Sequence, residues 1–372
     1  MIKILTVFGT RSELIKLSPV IKEIGKHSDT ISNKICNAAQ QRDLIEPLLK
    51  HFSIKADYDM NIMSEYKTLE ELTSIVLLNL KDILLTENPD YVLVLGDSSS
   101  AMAAALAAYF YKIKVAHIES GLRTNNKYSP FPEEINRKII DVVADLYFVH
   151  TNNAKENLLR EGIKEDRIEV TGNTGLDALL DTNNKANNFI NEKLNLIPFY
   201  NRRIILVTAH RRESYGQPLL NICNALKDIA LKYANHVHIV IPVNSNPEVK
   251  ETVFSNLGNI NNISLIDPLE YPDFVFLMRN SFIILSDSGG IQEEAPSLNK
   301  PVLVMRNETE RQEALVSGAT LLVGTSKERI VEQTTKLIED KSHYEFMSKA
   351  LNPYGDGKAA SRIVSRLIKD VQ

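Results

Sequence analysis

Short apolar runs of strand length alternate along this chain with longer segments whose apolar residues recur at helical spacing. That alternation predicts βαβ units and a mostly parallel sheet, because parallel neighbours must be joined by a crossover long enough to hold a helix. In the first half the strand-like runs are Lys3 to Phe8, a weaker one from Ser32 to Asn37, Tyr91 to Leu95, Val115 to Ile118, and Leu146 to Val149. Between them, Thr68 to Glu87 carries Leu69, Leu72, Ile75, Val76, Leu80 and Ile83 near one helical face, which predicts a helix covering the first sheet.

A polar, Asn- and Lys-rich stretch from Asp181 to Arg203 precedes a second series of strands: Ile204 to Thr208, His238 to Val243, Ile263 to Ile266, Phe282 to Ser286, and Val302 to Met305. The pattern restarts, so two α/β domains are expected. Because Thr174 to Leu180 already reads as the first helix of the second unit, the boundary is placed near Gly172. The domains are then 1–171 and 172–357, with a C-terminal helix at about 358–372 packing back on the first. The expected architecture is α/β, two doubly wound Rossmann-like domains facing a central cleft, with ligands held at the carboxyl ends of the strands.

Length agrees, since 372 residues exceed the roughly 250 to 300 that one core serves. Hydrophobic residues at 44% and charged ones at 24% have the balance of a globular protein. A net charge of −4 supplies no overall attraction to nucleic acid or anionic lipid, so any phosphate needs a local site. Cys36 and Cys223 lack metal-ligand spacing and fit a reducing compartment. Met1 to Gly9 reads as a first strand and not as a leader peptide, and the longest apolar stretch, Ala101 to Tyr111, is shorter than the roughly 20 residues that span a bilayer. A cytoplasmic protein that engages neither membrane nor nucleic acid is expected.

Polar clusters follow five of the predicted strands: Gly9-Thr10-Arg11-Ser12-Glu13, Gly96 to Ser100, His117 to Gly121, His210-Arg211-Arg212-Glu213, and Asp287-Ser288-Gly289-Gly290. In the last, a Ser-Gly-Gly turn opens a helix, so backbone N–H groups and the positive end of the helix dipole would accommodate a pyrophosphate, and Glu294 would suit a ribose hydroxyl. The same residues could simply form an N-cap and a tight turn. Arg11 and Lys16 could bring two cations towards phosphate oxygens, although a helix-face lysine is often solvated. Asp97, Glu119 and Glu133, with His210, are groups able to exchange protons on opposite faces of a bound sugar. Singly, Asp97 could cap a helix, Glu134 could pair with Arg137, and His210 could be a structural histidine. No Gly-x-Gly-x-x-Gly fingerprint follows any strand, and no nicotinamide, other cofactor or metal is expected.

Taken in order, Phe8-Gly9-Thr10-Arg11, Asp57 to Met63, Gly121-Leu122-Arg123-Thr124, Pro130-Phe131-Pro132-Glu133-Glu134, Thr171-Gly172-Asn173-Thr174, Thr208 to Glu213, Asp287 to Ser297 and Asn352 to Gly357 resemble the non-hydrolysing UDP-N-acetylglucosamine 2-epimerase family of bacteria. The fold of that family resembles the B-type glycosyltransferases, and the resemblance covers nearly the whole chain. It implies reversible conversion of UDP-N-acetylglucosamine to UDP-N-acetylmannosamine by elimination of UDP to 2-acetamidoglucal and re-addition, for surface polysaccharide synthesis. Asp97, Glu119, Glu133 and His210 would be the catalytic groups. Arg11 and Lys16 would assist at the substrate, Ser288, Gly289 and Gly290 would hold the diphosphate, Glu294 the ribose, and Phe274 would pack near the uracil. A homodimer is implied by the resemblance alone.

Several positions depart from the family pattern. Ser12 stands for a proline, Gln41 for the histidine of a Gln-His-Arg motif that here reads Gln40-Gln41-Arg42, Leu95 for a histidine before Gly96-Asp97, and Asn244 for a third histidine. Ser98-Ser99-Ser100 replaces a threonine run and Gln312 a proline. Gln40, Gln41, Arg212 and Asn244 are candidates for a neighbouring activating site. The alternatives are a hydrolysing epimerase that releases N-acetylmannosamine and UDP, a glycosyltransferase of the same architecture, and a catalytically silent sugar-nucleotide binding protein.

Overall fold

The computed structural model describes residues 1–38, 40, 42–62, 68–185, 191–209, 211, 214–244, 246–309 and 311–371. Two compact units emerge, Met1–Ala178 with Tyr354–Gln372, and Leu179–Pro353.

In the first unit strands and helices alternate: β1 (Ile2–Phe8), α1 (Arg11–Gly25), β2 (Ile31–Asn37), α2 (Arg42–Phe52), β3 (Tyr58–Asp59), α3 (Leu69–Glu87), β4 (Tyr91–Leu95), α4 (Ser99–Phe110), β5 (Lys114–Ile118), α5 (Glu133–Val143), β6 (Leu146–Val149), α6 (Asn152–Arg160) and β7 (Ile168–Val170), followed by α7 (Thr174–Lys185), within which the second unit begins. The sheet order is β3-β2-β1-β4-β5-β6-β7 and every pairing is parallel. Strands β4 and β6 are buried along their whole length, as expected of a sheet covered on both faces.

Helix α3 begins where predicted, because Thr68 and Glu71 form a reciprocal capping box, and it ends at Asn88 in a left-handed conformation (φ 43°). Its buried stripe is Leu72, Val76, Leu80 and Leu84, one residue per turn; Ile75 and Ile83 flank it half-buried, and Leu69 in the first turn is exposed. The apolar run from Ala101 forms α4, whose alanines are buried in contact with α3 and α5. Among the described residues no helix is long and apolar enough to cross a membrane.

The second unit contains β8 (Arg203–Thr208), α8 (Gln217–Lys232), β9 (Val237–Pro242), α9 (Pro247–Leu257), β10 (Ile263–Ile266), α10 (Tyr271–Asn280), β11 (Ile283–Ser286), α11 (Gly289–Glu294), β12 (Val302–Val304), α12 (Gln312–Val316), β13 (Thr320–Leu322), α13 (Lys327–Glu339) and α14 (Lys341–Ser348). Its parallel sheet has the order β10-β9-β8-β11-β12-β13. Ile205, Val207, Ile239, Ile241, Leu285 and Leu303 pack there with Leu219, Ile222, Cys223, Leu226 and Ile229 of α8. The last helix, α15 (Ala359–Val371), belongs to the first unit, where it contacts α1 and where Asp177 accepts from the N–H groups of Ala359 and Ala360.

Both sheets therefore have the expected doubly wound α/β form. Strands β3, β7 and β13 were not foreseen. Each lies at a sheet edge and has only two or three residues, too few to show a period in sequence.

Candidate functional site

In an open parallel sheet, the order in which strands are added reverses at one strand pair, and the loops leaving that pair diverge and open a crevice. In the first unit the pair is β1 and β4. A cavity of about 340 Å³ lies there, lined by Thr10, Ser12, Glu13 and Lys16 after β1, by Leu95 to Ser99 after β4, by Glu119 after β5, and by Pro132, Glu133 and Asn136 at α5; Gln40 and Leu69 complete it.

Each wall is locally determined. Thr10 caps α1 and forms a capping box with Glu13, which turns the chain sharply at Gly9. A Cβ at Gly9 would lie 2.3 Å from the Ser100 hydroxyl oxygen, so no side chain fits without displacing α4. Glu119 holds φ at +69°, a region that favours glycine, and the cost is accepted where its carboxylate is needed. That carboxylate pairs with Lys16 Nζ at 2.5 Å, and His150 Nε2, from the end of β6, lies 3.8 Å from the same oxygen. Lys16 is thus committed to an ion pair and is not a solvated surface lysine.

Asp97 does not cap α4. Ser98 does so, its hydroxyl accepting from the N–H of Ala101, while Asp97 pairs with Arg137 of α5. Asn136 donates to the Asp97 carbonyl at 3.0 Å and to Ser99. Behind this loop, His117 donates from Nε2 to the Gly96 carbonyl (2.8 Å) and faces Asp141 with Nδ1 (2.6 Å). Burial opposes charge on Asp141, but His117 and Arg123 outweigh it and hold the carboxyl below its ordinary range. Glu134 accepts from the N–H groups of Thr124 and Asn125, a structural role, whereas Glu133 turns to the cavity with its buried Oε2 unpartnered. Glu13 lines the same cavity at 3% exposure; burial pushes its carboxyl up to about 7, more than the amides of Gly9 and Thr10 and the Ser98 hydroxyl can offset.

In the second unit the reversing pair is β8 and β11, joined at their ends by a hydrogen bond between Thr208 and Ser286 (2.8 Å). The buried Asp287 carboxylate accepts from Arg211 N–H at 2.9 Å and from the Ser214 hydroxyl at 3.2 Å, so the turn after β11 anchors the loop after β8. Ser288 starts α11, yet its side chain makes no capping bond; Gly289 and Gly290 open the helix and half-buried Glu294 ends it. Half-buried Phe274 is on α10, and Asn244 accepts from Asn246 N–H in the turn before α9.

The predicted residues Lys16, Asp97, Glu119, Glu133 and Gln40 therefore share one cavity, with Gln40 accepting from the Ser100 hydroxyl at 2.9 Å. Arg11 sits in the first turn of α1, outside the lining set. His210, Gln41 and Arg212 lie outside the described residues. Sequence reasoning placed Glu13, His117 and Asp287 in the strand-end polar clusters but gave them no role, and it missed Arg137, Asp141 and His150 as parts of these sites. The Thr10-x-x-Glu13 spacing was visible but reads as a capping box, and the others depend on partners distant in sequence.

A sequence profile of the family described as UDP-N-acetylglucosamine 2-epimerase matches residues 22–368. The chain belongs to that family. Within it, the UDP-N-acetylglucosamine 2-epimerase of Escherichia coli K12 is 48% identical over 370 residues, covering 98% of both chains. The crystal structure of the Neisseria meningitidis UDP-GlcNAc 2-epimerase, bound to UDP-GlcNAc, superposes with a TM-score of 0.91 at 47% identity over 99% of this chain and 100% of that one. A Methanocaldococcus jannaschii UDP-GlcNAc 2-epimerase, in complex with UDP-GlcNAc and UDP, gives 0.81 at 34% identity over 99% and 100%.

Proposed function

We propose that this protein interconverts UDP-N-acetylglucosamine and UDP-N-acetylmannosamine without hydrolysis, in the cytoplasm, as a homodimer that supplies surface polysaccharide synthesis. The observation that carries the reading is the cavity where Asp97, Glu119 and Glu133 converge in a chain of this family. Of the three carboxylates, Glu119 is held by Lys16 and Asp97 by Arg137, so each meets the cavity from a different electrostatic setting.

C2 of the sugar has no adjacent carbonyl to acidify its hydrogen, so the barrier falls through positioning of a base and stabilisation of charge on departing UDP. Removal of the C2 proton with loss of UDP leaves 2-acetamidoglucal; re-addition of UDP with protonation on the other face gives the epimer. Asp97, Glu119, Glu133 and His210 exchange the protons. Residues 1–171, with Arg11 and Lys16, handle the sugar, and 172–357 the nucleotide, through Ser288, Gly289 and Gly290 at the diphosphate, Glu294 at ribose and Phe274 near uracil. Gln40, Gln41, Arg212 and Asn244 form a weakened activating site, because neutral amides replace two groups able to carry charge.

Proton NMR of UDP-N-acetylglucosamine with the protein in deuterated water tests the reading. Deuterium should enter C2 of both sugar nucleotides with no added NAD and no accumulation of free N-acetylmannosamine. Retention of the C2 hydrogen, or release of free sugar matched by UDP, refutes it.

A further inference from the structure

Glu13 is a cavity carboxylate that this proton-transfer scheme leaves unused. Its Oε2 accepts from the N–H groups of Gly9 (2.7 Å) and Thr10 (3.1 Å), the Ser98 hydroxyl lies beside the carboxyl, and Oε1, also buried, has no partner at hydrogen-bond geometry. Among the described residues, the titratable and charged groups around the same cavity are Asp97 after β4, Glu119 after β5, Glu133 on α5 and Lys16 on α1, with Arg137 behind Asp97 and His150 behind Glu119. Lys16 is paired with Glu119 and Arg137 with Asp97, and among the described residues no basic side chain pairs with Glu13.

A carboxyl group removed from water without a cation takes up a proton instead of bearing the cost of a buried charge. Both lone pairs of Oε2 are engaged by amides, so the proton belongs on Oε1, the oxygen that no amide engages. The upward shift to about 7, caused by burial, agrees with that geometry. The lining carries more carboxylates than cations, so it disfavours a diphosphate and suits the uncharged part of the nucleotide. On an N-acetylhexosamine the strongest neutral acceptor is the amide carbonyl oxygen.

We propose that Glu13 acts as a neutral carboxylic acid whose Oε1–H donates a hydrogen bond to the acetamido carbonyl of the bound sugar, making it a specificity-determining residue. This rests on the function proposed above. The distinction from a purely structural cap lies in the proton: a cap needs only Oε2, whereas the donor disappears when Glu13 ionises.

The experiment is the Kd of UDP-N-acetylglucosamine by calorimetry, and its KM, between pH 5.5 and 8.5, for the parent and Glu13→Gln. The glutamine keeps an acceptor for the two amides and presents an N–H donor in place of Oε1–H. The parent should bind with constant Kd up to about pH 7 and weaken about tenfold by pH 8.5, the scale of one hydrogen bond to ligand. Glu13→Gln should bind within about threefold of the parent at pH 6 and lose the break. UDP-glucose, which has no acetamido group, should show no break with the parent, a control that needs no variant. A flat parent profile, an equal break with UDP-glucose, or a Glu13→Gln protein that is folded but retains the break overturns the proposal. Intact binding without turnover would instead defeat the proposed reaction, and the Kd profiles would still decide the role of Glu13.

Discussion

Replacing Glu13 with glutamine should alter how the stability of the first unit depends on pH, by an amount that follows from burial of the carboxyl group. A carboxyl raised from 4.5 to about 7 stores about 3 kcal/mol of preference for the protonated form in the folded state. Between those values the folded chain binds a proton that the unfolded chain has released. The stabilising contribution is therefore fully present below pH 4.5 and is lost as pH rises through 7. Glutamine does not titrate, so the stability of Glu13→Gln minus that of the parent should rise by about 3 kcal/mol from pH 4.5 to 8, whatever its value at the acid end. Taking the difference cancels the pH dependence of every other group that both proteins share. Urea unfolding followed by far-ultraviolet circular dichroism is the suitable assay, since the chain has no tryptophan. If the two units unfold separately, the transition that responds should be that of Met1–Ala178. A difference that stays constant within about 1 kcal/mol, or that falls with pH, would falsify the assignment of Glu13 as a buried neutral acid.

Asp97→Asn and Glu119→Gln should each lower turnover about a hundredfold or more with the fold retained, as checked by the NMR exchange assay and circular dichroism. Lys16→Met should remove the cation paired with the buried Glu119 carboxylate, costing about 3 kcal/mol in urea unfolding, and a cost below about 1 kcal/mol would mean that the 2.5 Å pair is not maintained in solution. Gly9→Ala should lower stability by about 1 to 3 kcal/mol, because its Cβ meets the Ser100 hydroxyl oxygen at 2.3 Å; a melting temperature equal to the parent's counts against that close approach.

The architecture was legible because the features that specify it are short-range. The runs that become β1, β4, β5 and β6 are buried nearly throughout, and the helical period of 69–84 survives as the stripe that α3 turns to the sheet. Even there, sequence assigned Leu69 to the covered face, whereas it lies exposed in the first turn, because a periodicity states an average direction and not where the sheet beneath ends. Of the site, Asp97, Glu119 and Glu133 stood out as carboxylates at strand ends and near a helix start, and they do share a cavity.

By itself the sequence determined the alternation of strand and helix, the caps at Thr10 and Thr68, and the tight turns that carry the polar clusters, since each depends on neighbours within a few residues. Only the tertiary structure decided that β4 lies beside β1, and that choice brings Glu13 to Asp97 and Lys16 to Glu119 across about a hundred residues of chain. Arg137 reaches Asp97, and His150 nears Glu119, in the same way. Whether a carboxyl group is an anion, an ion-pair partner or a neutral acid depends on what surrounds it after folding. Thr10-x-x-Glu13 reads as a capping box in any helix, and burial, with Asp97 near and no basic partner among the described residues, is what raises this carboxyl.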